Sequence, residues 1–162
     1  MEGLQYATNL KRLSLEFNYN NSNISLEPIC NLINLEQLTL YGGIFGEDNF
    51  DFLKGLTSLT ELNIYNINKD LDLTDLGNYV NLTSLSINAN GQLKNIDALL
   101  KLNNLKKLGI SQYSGNESLD MNVLSNFKQL EDLSISGNFK NTASLWKITQ
   151  LRRLTVSASS IT

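Results

Sequence analysis

The sequence predicts an α/β solenoid: stacked coils, each with a short parallel strand on one side and a short helical turn on the other. Three observations predict it. A six-residue phrase, Leu-x-x-Leu-x-(Leu/Ile/Val), occurs seven times, starting at Leu10, Leu35, Leu59, Leu82, Leu105, Leu130 and Leu151. The starts lie 25, 24, 23, 23, 25 and 21 residues apart, and self-similarity at such a period marks an array of stacked units. Between phrases the apolar residues recur three apart, as in Leu53, Leu56 and Leu59.

The elements follow in order. Residues 1–9 read as the second half of a unit, with Leu4, Ala7 and Leu10 three apart. Each phrase then places a strand. Alternation with period two turns Leu13 and Leu15 inward and Ser14 outward. The return segments carry Ile29, Leu32 and Leu35, then Leu76, Tyr79 and Leu82, then Ile96, Leu99 and Leu102, and later Met121, Leu124 and Phe127, then Leu145, Ile148 and Leu151. Three-residue spacing suits short 3₁₀ turns better than long α-helices. Pro28 sits where a fixed φ helps such a turn begin. The longer connections Tyr19–Glu27, Ile44–Phe52 and Ser114–Asp120 are expected to bulge at the edge that follows the strands. The chain stops at Thr162, just after the seventh strand. Both ends are therefore expected to expose a cut face of the core, as in a segment of a longer array. A small complete protein with its ends covered by a partner is the alternative.

The phrase, extended in the first unit to L-x-x-L-x-L-x-x-N at Asn18, resembles the leucine-rich repeat family over essentially the whole chain. The resemblance implies a right-handed solenoid with seven short parallel strands on the concave face and 3₁₀ or short helical turns on the convex face. It makes residues 1–162 a single domain of about seven repeats. It also implies that the asparagine bonds backbone groups of neighbouring coils. Here that residue returns only at Asn90 and Asn138; Gly43, Ile67, Tyr113 and Ser159 replace it elsewhere. The stretch from Asn95 to Leu108 is similar to the bacterial internalin-like pattern I-D-x-L-x-x-L-x-N-L-x-x-L. Units here are longer than that group's, the asparagine series is broken, and no helical N-cap is evident. This likeness implies a protein-binding surface module.

Composition narrows the chemistry. With a net charge of −3, the chain lacks the positive field on which nucleic-acid binding relies. No stretch approaches the roughly 18 apolar residues of a membrane helix. There is no histidine, so Ser-His and Cys-His nucleophiles and histidine zinc sites have no basis here. Cys30 is the only cysteine and reads as a small filler. The glycines Gly42, Gly43 and Gly46 match no phosphate-binding motif. Asp70, Asp72 and Asp75, and likewise Glu47, Asp48 and Asp51, lack calcium-loop spacing and read as solvated edges. Sequons at Asn20, Asn23, Asn81 and Asn116 are expected by chance in so asparagine-rich a chain. No cofactor is expected, and the expected class is non-enzymatic.

The strand register fixes the outward columns. The central one reads Ser14, Thr39, Asn63, Ser86, Gly109, Ser134, Thr155: small, mostly polar, and open to an approaching partner. The next reads Glu16, Tyr41, Tyr65, Asn88, Ser111, Ser136, Ser157. Tyr41 and Tyr65 fall on adjacent rungs roughly 5 Å apart, where their rings can stack. Phe17 is expected to flank them. Stacking without any partner is the competing reading. A charged column carries Arg12, Gln37, Glu61, Ser84, Lys107, Asp132 and Arg153. It reads either as a self-neutralised series or as a stripe that sets partner choice.

The function expected from these residues is protein–protein interaction on the concave face, through Phe17, Tyr41, Tyr65, Arg12, Glu61, Lys107, Asp132 and Arg153. A structural spacer in a larger surface protein and a small cytosolic inhibitor or immunity-type protein are the alternatives. The partner is a protein rather than nucleic acid or a membrane interior, and the two ends could also stack on each other. The setting is the cell surface or the exterior if the chain is cut from a longer array, and the cytoplasm if it is complete as written.

Overall fold

The structure, a computed structural model, describes residues 3–17, 25–42, 50–113 and 118–161, without the side chains of 159–161. Among the described residues ten strands follow one another: β1 (Arg12–Glu16), β2 (Gln37–Tyr41), β3 (Glu61–Ile67), β4 (Leu71–Asp72), β5 (Ser84–Ala89), β6 (Leu93–Lys94), β7 (Lys107–Gln112), β8 (Leu119–Asp120), β9 (Asp132–Lys140) and β10 (Arg153–Ile161). The seven phrases form one parallel sheet in the order β1-β2-β3-β5-β7-β9-β10, as expected. β8 adds to β9, and β4 and β6 pair separately at the edge beyond the sheet. The connections are 3₁₀ turns at Leu4–Tyr6, Glu27–Asn31, Asp51–Leu53, Thr74–Asn78, Ile96–Lys101 and Thr142–Lys147. One short α-helix spans Met121–Leu124.

The phrases pair residue for residue. Leu13, Leu38, Leu62, Leu85, Leu108, Leu133 and Leu154 form one continuous column across the sheet. Each inner leucine therefore packs on its counterpart one coil away, and a linear core results. From Leu38 to Ile135 these inner positions are buried. The return segments close the other side, with Ile29, Leu32, Leu35, Leu53, Leu76 and Leu99 fully buried. In the first coil Leu13 and Leu15 are only half-buried, and in the last Val156 is 40% exposed.

One carbonyl at each strand entry receives two N–H groups from the next coil. The Lys11 carbonyl accepts from Glu36 and Gln37, and Glu36 from Thr60 and Glu61. Thr60, Thr83, Lys106 and Glu131 repeat the arrangement. A side-chain series runs beside it. Asn34 donates to the Thr8 carbonyl (2.9 Å), Asn81 to Thr57 (3.0 Å), Asn104 to Val80 (2.9 Å) and Gln150 to Phe127 (2.6 Å). These amides stand just before the first leucine of a phrase. The family resemblance places such an amide series after the strand instead, at Asn18, Asn90 and Asn138. Asn90 instead donates to the Asn68 side chain, and Asn18 lies outside the described residues.

The long connections are also partly outside the described residues, as are Asn20, Asn23, Asn116, Gly43, Gly46, Glu47 and Asp48. Where described, they contribute to the core rather than only bulging. Phe50 and Phe52 are buried with ring centroids 6.3 Å apart, and Leu119 is buried in β8.

Asp70 and Asp72 are more than a solvated edge. Asp72 accepts from the Thr74 N–H and hydroxyl and, with both oxygens, from Asn95 of the next coil at 3.0 Å. Asp120 repeats the bond with Asn141. Asn95 and Asn141 both adopt the left-handed region (φ 56° and 59°), which asparagine tolerates better than most residues. Asp70 bonds the Gln92 N–H and the Lys94 ammonium. Hydrogen bonds from Thr74 and Asn95 hold the Asp72 carboxyl below its ordinary range. A carboxylate with a depressed folded-state pKa stabilises above its unfolded value and loses that contribution as pH falls through the folded one. Asp72→Asn is thus expected to be less stable than the parent at pH 7, with the gap closing below about pH 4. Urea unfolding at both pH values checks this; a gap that stays constant would refute it.

Candidate binding face

Three rows of side chains build the outward face of the first three strands. The register aligns Arg12, Gln37 and Glu61, then Ser14, Thr39 and Asn63, then Glu16, Tyr41 and Tyr65. Tyr41 and Tyr65 stack as the register implies, with ring centroids 5.1 Å apart and planes 30° from parallel. Tyr41 is 40% exposed and Tyr65 half-buried. The Tyr65 hydroxyl donates to Asn63 Oδ1 (3.4 Å). Asn63 Nδ2 in turn donates to Glu61 Oε1 (2.9 Å) and lies 3.4 Å from Thr39 Oγ1. Tyr65 therefore leans back along its own strand and is tethered there.

A bulge ends this patch. Ile64 pairs with Ile87, but the next pair is Ile67 with Ala89, so Tyr65 and Asn66 stand opposite the single residue Asn88. Asn66 takes φ 60° to make the extra step, and Ile67 reaches the core fully buried. The outward column thus breaks after Tyr65 instead of running on to Asn88. Phe17 does not join the tyrosines either. Two residues after Leu15, it shares that residue's side of the strand and packs half-buried against the core. Its backbone meets the pair, through the Phe17 N–H to the Tyr41 carbonyl at 2.8 Å. Tyr113 stands apart, 62% exposed, with its hydroxyl 3.4 Å from the Asn88 amide.

The charged column divides in two. In the last three rungs the charges pair. Glu131 lies between Lys106 (3.9 Å) and Arg152 (3.5 Å), and Arg153 meets Asp132 at 3.2 Å. Asp132 is given to Arg153 rather than to Lys107, which stands opposite it on the other side. The cations are well exposed and the carboxylates partly so, and each such surface pair contributes roughly 0–1 kcal/mol. In the first three rungs Lys11 pairs with Glu36 at 2.7 Å. Among the described residues, Arg12, Glu16 and Glu61 have no ion-pair partner.

Other features were less visible in the sequence. Trp146 is 76% exposed on the last 3₁₀ turn; the three-residue spacing that buries Leu145 and Ile148 turns it outward. Cys30 is half-buried with its thiol 3.4 Å from the Phe52 carbonyl, and burial pushes its pKa up. A groove of about 170 Å³ between the third and fourth turns is lined by Gly55, Thr57, Tyr79 and Asn81, among others. Burial, with Asp75 and Asp51 nearby, pushes the Tyr79 phenol up to about 12, so it stays neutral there. Among the described residues no three metal-ligating side chains gather, and no helix is long and apolar enough to cross a membrane.

No protein-family model and no curated protein sequence matches the chain. Solved structures do. An internalin (inlF) from Listeria monocytogenes is 28% identical and superposes over 98% of this chain with a TM-score of 0.66. This is a leucine-rich repeat protein. An internalin C2 (inlC2) from the same organism is 24% identical over 98% of the chain, with a TM-score of 0.59. A leucine-rich repeat protein of Leptospira interrogans is 17% identical over 99%, with a TM-score of 0.64. The leucine-rich repeat chain described here spans 45% of the first internalin's length and 83% of the second's.

Proposed function

We propose that this leucine-rich repeat protein is a non-enzymatic interaction module that binds a protein partner on the exposed, concave face of its long sheet. The observation that carries the reading is the Tyr41–Tyr65 stack, held on paired strands with Tyr41 open to solvent. Large aromatic side chains already fixed in place lose little freedom when a partner covers them, which is why tyrosines recur among the residues that dominate interfaces. Around them Ser14, Thr39 and Asn63 are short, so a partner can approach the sheet floor. The setting we propose is a repeat region of a longer bacterial surface or secreted protein; the likeness to an internalin supports it.

Tyr41→Ala with Tyr65→Ala is expected to abolish capture of the partner while leaving the fold intact. Pull-downs from producer-cell and candidate host extracts, read by mass spectrometry, compare the parent and this double variant, with circular dichroism as the check on folding. A protein held by the parent and lost by the folded variant supports the reading. Equal recovery by both, or none by either, would move the function away from this face and toward a spacer.

A further inference from the structure

Tyr41 has two unlike neighbours. Tyr65 covers one face of its ring at 5.1 Å. On the other side the register places Glu16 of β1, an exposed carboxylate about one strand spacing away. A second carboxylate, Glu61, ends the hydrogen-bonded chain that begins at the Tyr65 hydroxyl and passes through Asn63. The aromatic pair thus has one acid beside it in its own row and a second four residues back along β3, in the row of Arg12 and Gln37. Elsewhere on the face negative charge is matched: Glu36 by Lys11, Glu131 by Lys106 and Arg152, Asp132 by Arg153. Glu16 and Glu61 are not so matched among the described residues, in a chain of net charge −3.

We infer that the tyrosine pair receives an arginine side chain from a basic segment of the partner. The inference rests on the concave-face reading and adds the chemistry of what that face takes. A guanidinium is flat and weakly hydrated. It stacks on the open face of Tyr41 while its N–H groups reach the Glu16 carboxylate beside the ring. A second cation of the same segment has Glu61 as its counter-charge. Lysine fits less well, because a point-like ammonium does not stack and fork at once. A purely apolar side chain fits worst, since covering the tyrosines with it strips water from two carboxylates without replacing their bonds.

The test uses the full chain and three capped peptides of one length: acetyl-Gly-Arg-Gly-Arg-Gly-amide, its lysine analogue and its citrulline analogue. Citrulline keeps the shape of arginine and removes the charge. Titrations follow the ring resonances of ¹³C-labelled tyrosine. Saturable shifts of Tyr41 and Tyr65 are expected with the arginine peptide. Its affinity should exceed that of the citrulline peptide by about two- to fivefold from the ring contact alone, and more with the carboxylates engaged. The lysine peptide should fall between them. Glu16→Gln with Glu61→Gln should reduce the preference for arginine over citrulline, and added salt should do the same. Equal binding of arginine and citrulline, or no saturable shift with arginine at millimolar concentration, overturns the inference. The face itself is judged separately. A natural partner lost by the tyrosine variant but fully kept by Glu16→Gln with Glu61→Gln leaves the binding face standing and removes arginine from it.

Discussion

Leu85→Ala is expected to lower the free energy of unfolding by about 2–5 kcal/mol. Leu85 is 1% exposed and lies mid-column, with Leu62 on one side and Leu108 on the other. Truncation removes three carbons from contact with both neighbours and leaves a cavity that neither coil can fill, because each is held in register by its own backbone bonds. Leu13→Ala is the comparison. The same change in the half-buried first coil exposes little that was dry, so its cost should be clearly smaller. Urea unfolding followed by circular dichroism measures both. Equal costs would mean that the core does not run through the stack as a single column.

Gly91→Ala is expected to cost about 1–3 kcal/mol, although it adds only one methyl group. A Cβ on Gly91 would run into the Lys69–Asp70 peptide of the preceding coil, closer than real Cβ atoms approach. The obstacle is backbone and cannot rotate away. Leu71 bonds the Gln92 carbonyl and Asp70 bonds the Gln92 N–H, so both coils are pinned at this spot. Gly109→Ala makes the contrast. There the nearest atom is the Ser86 hydroxyl at 2.9 Å, a side chain that swings aside, and alanine suits a strand better than glycine. Thermal unfolding should show a clear drop in Tm for Gly91→Ala and nearly none for Gly109→Ala. Similar values would show that the turn yields and that coil spacing is not set there.

The sequence revealed the repeating part of the molecule and little of its departures. Seven phrases in phase dictate seven paired strands, because period-two alternation within the repeated phrase allows only one register that turns every leucine of the phrase inward. The Tyr41–Tyr65 stack follows from that register alone. The family pattern puts its asparagine after the strand, whereas the amide series here, Asn34, Asn81, Asn104 and Gln150, stands just before the first leucine of the phrase, a place the pattern does not mark. The bulge was legible in parity. Ile67 stands three residues after Ile64, and a regular strand cannot point both to one side. Phe17 is the same lesson reversed, since its even spacing from Leu15 assigns it to the core. The pairing of Asp132 with Arg153 rather than Lys107 could not be read, because both cations flank it equally in the pattern and only side-chain geometry chooses.

The bonds at the strand entries all point one way. In every pair the later coil donates and the earlier one accepts, through backbone N–H groups and through Asn34, Asn81, Asn104 and Gln150 alike. The strand entries therefore have a grain that runs with synthesis. Each coil leaving the ribosome meets a completed row of carbonyls on its predecessor, and at about 5–20 residues per second a new coil arrives every few seconds. The later coil then completes the far ends of the strands, where Phe17 and Gly42 donate forward to the Tyr41 and Tyr65 carbonyls. A coil made out of turn would find its donors facing nothing.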